Sequence, residues 1–211
     1  MDGGMKRVVI FLFPVISFLT SPLGAVGDPF ESPEIIQIQA LHDQSAAGDK
    51  SATDRLCALL ETLLATQPHN SLYRVYLGSA LTLKSRDAFP GPAKLRYLKD
   101  GLSMMDRAVK DAPENLCVRF VRAVNNFHLP AFVNRRDNAR KDFEILLAAI
   151  QADSTSLNEQ TLQAIYYFAG LAFKQTNRDQ QARQTWTQGI SRHEESDLTR
   201  KMRAELARLN S

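Results

Sequence analysis

From Ser32 onward, the apolar positions of this chain recur at steps of three and four, the period of a helix with one buried face. Ser32-Pro33-Glu34 reads as a helix start, a capping serine followed by proline at the first helical position. Ile35, Ile36, Ile38 and Leu41 carry that helix to about Ala46, where Gly48-Asp49 ends it. Ser51 to Asp54 offers a cap for a second helix, with Leu56, Leu59, Leu60, Leu63 and Leu64 on its buried face and Pro68 as its stop. A third helix begins at Ser71 and holds Tyr73, Tyr76, Leu77, Gly78, Ala80 and Leu81; a fourth holds Gly101, Met105 and Ala108, extended backwards through Leu98, Tyr97 and Leu95. Phe120, Ala123, Val124 and Phe127 mark the next helix, and Ala139, Phe143 and Leu146 the one after. Ser156 and Glu159 have the spacing of a capping box for a seventh. Asp197 caps a last helix whose apolar stripe is Leu198, Met202, Leu206 and Leu209, with Arg200, Lys201, Arg203 and Arg208 on its other faces. The pattern predicts about nine helices: four pairs and a terminal one.

One pair is more specific than periodicity alone. Gly170 and Phe173 share a helical face, and Ala182, Trp186 and Gly189 follow at steps of four and three, across the polar turn Lys174 to Asp179. Small residues at facing positions let two backbones approach, with Phe173 and Trp186 filling the space around the contact. The stretch from about Tyr166 to Glu194 resembles a tetratricopeptide repeat on these residues. Gly78, Gly101, Met105 and Ala108 resemble it too, although Gly78 to Gly101 spans 23 residues where Gly170 to Ala182 spans 12. A helix pair of this kind cannot bury its apolar face alone. The resemblance therefore implies an all-α, right-handed superhelical solenoid of stacked antiparallel pairs over residues 28–211, closed by a C-terminal capping helix. The surplus residues fall around Ser85 to Lys94, a second long connection lies at Leu129 to Val133, and Phe89-Pro90-Gly91-Pro92 is not a flexible linker. The expectation is an ordered ridge in which Arg86 and Asp87 pair with residues around Asn134 to Asp137, over Phe89 and Phe132.

Residues 1–27 have the layout of a signal peptide: Lys6 and Arg7, an apolar run from Val8 to Leu19, then Ala25-Val26-Gly27 before Asp28. Cleavage there would give an exported periplasmic or secreted chain, and retention would give a membrane anchor. The formal charge of +3 is too balanced to argue for nucleic acid. Charge is uneven, however: Lys84 to Asp142 holds thirteen Lys and Arg against seven Asp and Glu. Solvated helix faces with pairs such as Asp106 with Lys110 and Asp137 with Lys141 account for most of these. Arg119 and Arg122 flank Phe120 and Val121, so at least one guanidinium crosses a partly buried environment and needs a carboxylate or carbonyl, with Asp87 and Asp137 as candidates. Cys57 and Cys117 fall on helices too far apart for a bridge, which needs Cα atoms within about 7 Å.

Catalytic chemistry is missing from the pattern. His42, His69, His128 and His193 are scattered without the spacing of a helical zinc site, and neither a nucleophile elbow nor a phosphate loop is present. The reading is a protein without enzymatic activity, metal or cofactor. In tetratricopeptide proteins the first helix of each pair lines the concave face. Carried over here, the resemblance points to Ser79 and Thr82, Asn125 and His128, and Tyr167 and Lys174 as partner-binding positions, with Arg119 and Arg122 presenting charge beside them. Such a mixture suits an extended peptide rather than an acidic tail. The sequence thus implies a protein–protein interaction module for a peptide or assembly partner in the exported compartment. The alternative is an accessory protein whose two long connections grip an anionic ligand or support a membrane-bound enzyme.

Overall fold

The computed structural model describes residues 32–152, 157–192 and 195–209, and among them it is all-helical. The nine helices are α1 (Pro33–Ala46), α2 (Lys50–Thr66), α3 (Ser71–Asp87), α4 (Pro92–Asp111), α5 (Leu116–His128), α6 (Arg136–Ala152), α7 (Glu159–Gln175), α8 (Asp179–Arg192) and α9 (Asp197–Arg208). A single 3₁₀ turn, Ala131–Val133, interrupts the α5–α6 connection. The segment with the layout of a signal peptide, Ser156 and His193 lie outside the described residues.

Each even-numbered helix packs on the odd-numbered helices before and after it, and the odd-numbered helices also touch one another in succession. The latter run parallel. Gln39 and His42 of α1 meet Tyr76 and Ser79 of α3 in the same order along the chain. Arg86 at the end of α3 donates to Ser45 O and Ala46 O at the end of α1, at 2.8 and 3.0 Å.

Glycine sets the closest approaches. A Cβ on Gly78 would lie 2.7 Å from Gly101 O, and one on Gly170 would lie 2.2 Å from the Trp186 indole. No side chain fits at either place. Trp186 is fully buried, and its indole N–H donates to Tyr167 O at 3.1 Å, so the ring is oriented as well as packed. Phe143, Met105, Leu146, Ile165 and Met202 are other core members without solvent contact. In α9 Leu198 and Met202 are buried, and that helix packs on both α7 and α8.

The turns between pairs repeat. Pro68 and Pro113 follow the ends of α2 and α4, where Gln67 and Ala112 take nearly the same backbone angles (φ −128, ψ 66 and φ −138, ψ 66). Two residues past each proline an asparagine, Asn70 or Asn115, caps the next helix. An arginine four residues past the cap then donates to the proline carbonyl, Arg74 to Pro68 O at 2.5 Å and Arg119 to Pro113 O at 2.8 Å. Both arginines also hold an aspartate, Asp111 and Asp142 respectively.

Several expected details differ. The α2 cap is Asp49 rather than a residue from Ser51 to Asp54, the α7 cap is Asn158 rather than a box from Ser156, and the α9 cap is Ser196 rather than Asp197. In each case an adjacent polar side chain reaches the free amides first. The backward extension of the fourth helix through Leu95 holds, but the connection is shorter than the Ser85 to Lys94 expected: α3 runs to Asp87, α4 starts at Pro92, and only residues 88–91 connect them. No ridge forms. Phe89 is 93% exposed and Phe132 85%, while Arg86 binds Asp87 and the end of α1 instead of the second connection. Asp106 pairs with Arg122 and Arg135, and Asp137 with Arg140, in place of the lysine pairs. Cys57 and Cys117 are both buried and form no disulfide, and burial pushes the Cys57 thiol up to about 11.

Candidate functional site

The face formed by the odd-numbered helices carries a row of polar side chains. His42 Nε2 lies 2.8 Å from Ser79 Oγ, and Ser79 donates its hydroxyl proton to Asn125 Oδ1 at 3.0 Å. A serine hydroxyl has one proton, so His42 must be the donor in the first bond and carry its hydrogen on Nε2. Thr82 reaches the same Asn125 oxygen at 2.8 Å and shares its proton with Ser79 O, also at 2.8 Å. Three helices are thus joined edge to edge by side chains. The Asn125 carbonyl is saturated, whereas its amide nitrogen, Nδ2, is buried with no partner. That nitrogen is an unpaired donor.

Both histidines of this face are held neutral. Burial pushes His42 down to about 4, and burial followed by repulsion from His42 does the same for His128. His128 as a whole is exposed, while its ring packs against Phe127 and α7. Its ring meets Phe127 at 4.9 Å and Phe168 at 5.7 Å, both edge-on, which extends the row to α7 as an aromatic patch. At the other end, Gln39 donates to the buried Tyr76 hydroxyl at 3.5 Å. The Asp43 carboxyl, on the next turn of α1, has no hydrogen-bond or ion-pair partner among the described residues, and burial raises it to about 6.

Of the positions expected from sequence, Ser79, Thr82 and Asn125 come together, and His128 stands close enough to His42 for their charges to interact. Ser79 and Thr82 are buried and form the base of the row rather than reaching outward. Tyr167 is half-buried on α7 with its ring edge-on to Phe168 at 5.2 Å, and burial raises its phenol. Lys174 is engaged by Glu205 of α9 at 2.9 Å.

Arg119 and Arg122 serve another purpose. Both converge on the buried Asp142 carboxylate, Arg119 at 3.0 Å and Arg122 with two bonds at 2.7 and 2.8 Å. Arg122 and Arg135 then share Asp106. The need for carboxylate partners was legible, but the partners are Asp142 and Asp106 rather than Asp87 or Asp137. Sequence reasoning passed over His42, Gln39 and Phe168. Gln39 and His42 at i,i+3, beside the apolar stripe of Ile35, Ile38 and Leu41, were the available signal.

Among the described residues no group of three or more His, Cys, Asp or Glu is placed to hold a metal, and no helix is long and apolar enough to cross a membrane. Compared with known proteins, the chain matches no family model, no curated protein and no solved structure.

Proposed function

We propose that this chain is a tetratricopeptide-like solenoid that binds an extended peptide segment of a partner protein along its odd-helix face, with α9 capping the last layer. The role is recognition rather than catalysis, exerted after export. Parallel odd helices backed by even ones, glycine-mediated pair contacts and the repeated proline–asparagine–arginine turns support the solenoid. The observation that carries the binding role is the unpaired Asn125 amide nitrogen, beside a carbonyl saturated by Ser79 and Thr82. A buried donor without a partner is costly, so a ligand carbonyl accepting from it gains more than it would at an exposed donor. Neutral histidines and hydroxyls beside it favour a peptide backbone over an acidic tail.

The reading in which long connections grip an anion has less support, because the first is four residues long and Arg119, Arg122 and Arg135 are spent on carboxylates. The test is capture of the partner from the envelope fraction by the wild-type chain and by Asn125→Ala and His128→Ala. Loss of the same captured band in both variants is the expected result. Retention in both, with the variants folded, would remove the odd-helix face as the binding surface.

A further inference from the structure

The three most exposed large apolar side chains of the described residues are Phe89 at 93%, Phe132 at 85% and Leu95 at 68%. All three lie at one edge of the helix array. α3 and α5 are parallel, since Ser79 and Thr82 in the second half of α3 meet Asn125 in the second half of α5. The α3–α4 connection with Phe89, the first turn of α4 with Leu95, and the α5–α6 connection with Phe132 therefore fall on the same side. Ile36 and Ile145, at 48% and 46%, are the remaining large exposed apolar residues and lie within helices. Isolated exposures of that kind are ordinary.

The edge is held open by its own bonding. Lys94 Nζ donates to Arg86 O at 3.1 Å and Ala88 O at 3.2 Å, closing the end of α3, and Ser85 donates to Lys94 O at 2.8 Å. Gly91 sits at φ 154 between two prolines, and Asn134 at φ 58 ends the 3₁₀ turn that carries Phe132. These are fixed tips rather than tethers free to fold back.

Charge decides what they face. Arg96, Lys99, Arg136 and Lys141 are exposed and have no carboxylate partner among the described residues. Asp87 and Asp137 nearby are already taken by Arg86 and Arg140, leaving Asp100 as the unpaired acid of the α4 stripe. Leu95 and Lys99 stand one turn apart on the same stripe of α4. We propose that this edge docks on an anionic lipid surface, with Phe89, Leu95 and Phe132 entering the headgroup layer and the unpaired cations against lipid phosphates. A protein interface would call for a contiguous apolar centre, whereas a bilayer surface accepts single projecting side chains interleaved with cations. The proposal is independent of the odd-helix face, which involves none of these residues.

The test uses the full chain with an environment-sensitive thiol dye at Phe89→Cys, Phe132→Cys or, as the control, Ile145→Cys. Cys57 and Cys117 are buried, which directs native labelling to the new thiol. Vesicles of phosphatidylcholine are added with and without phosphatidylglycerol, and any contribution from residues 8–19 is common to all three proteins. The expected result is a blue shift and quenching by a lipid-borne quencher at 89 and 132, with phosphatidylglycerol only, and no change at 145. Arg96→Gln with Lys99→Gln should raise the lipid needed for half the effect roughly ten- to thirtyfold. A silent dye at both edge positions overturns the proposal, and so does an equal response without phosphatidylglycerol or an equal response at 145. A shift that grows with protein concentration in the absence of vesicles would assign the edge to a second copy of the chain.

Discussion

In α7 and α8 the glycine contact lies nearer the turn: five helical residues follow Gly170 and seven precede Trp186, whose indole it meets. In α3 and α4 the same kind of contact lies mid-helix, with nine helical residues after Gly78 and nine before Gly101. The contact fixes where two helices cross and how closely. What lies beyond is set by capping chemistry, here Gly91 with Pro92 at the first position of α4. In the short hairpin the helix past the contact still holds core residues, Ala172 and Phe173. In the long one, Pro92 to Asp100 includes no buried residue, so that segment is free of the core.

Removing the shared contact should have the largest effect. Trp186→Ala is expected to cost about 3–5 kcal/mol and Met105→Ala about 2–5 kcal/mol in urea unfolding, because both side chains are fully buried at their glycines. Equal melting of Trp186→Ala and the parent would break the comparison at its root. The two arginine locks sharpen it. Asp142→Ala leaves two guanidinium groups facing each other in a buried site and should cost about 3–5 kcal/mol. Asp111→Ala, at the exposed counterpart, should cost under about 1 kcal/mol. Similar losses in both would mean that burial does not separate the two locks.

Asn126 offers a gain instead. It is fully buried with neither amide atom bonded, so Asn126→Leu should stabilise by about 1 kcal/mol, read as a higher urea midpoint. A lower midpoint would show that the amide is satisfied. The pH response is smaller. His42 has its folded value near 4, below the ordinary 6.5, so the unfolded chain binds more protons between them and stability falls as pH drops through that window. Asp43, raised to about 6, acts in the opposite sense below pH 6. Comparing parent with His42→Gln cancels Asp43: the variant should gain relative to the parent between pH 6.5 and 4. A constant difference would mean that His42 titrates normally. The smallest effect is expected at the projecting tip, where Phe89→Ser should leave stability within about 0.5 kcal/mol. A larger loss in thermal melting would mean that Phe89 is buried in solution.

The helices and their buried faces were legible because burial imposes a period: Met105, Phe143, Trp186 and Met202 are core where the spacing put them. Helix length past a contact was legible only in part: Leu95, Tyr97 and Leu98 extended α4 backwards, but Ser85 to Asp87 and Pro92 to Lys94 carry no apolar period and read as connection. Caps slipped by one or two residues wherever several short polar side chains competed, as at Ser196 and Asp197. For the site, Ser79, Thr82 and Asn125 could be read as positions off the packing stripe. Their joining through His42 depends on the register of α1 against α3, which no local pattern encodes. Arg119 announced a buried charge, but which aspartate answered it depended on the rotation of α6.

Site-specific photo-crosslinking in the cells that make the protein tests the binding role most directly. A photoreactive residue is placed at His128, exposed beside the polar row, and separately at Ile145, exposed on α6. The account predicts a discrete adduct from position 128 that Asn125→Ala suppresses, and none from position 145. An adduct from 145 with none from 128 would contradict it.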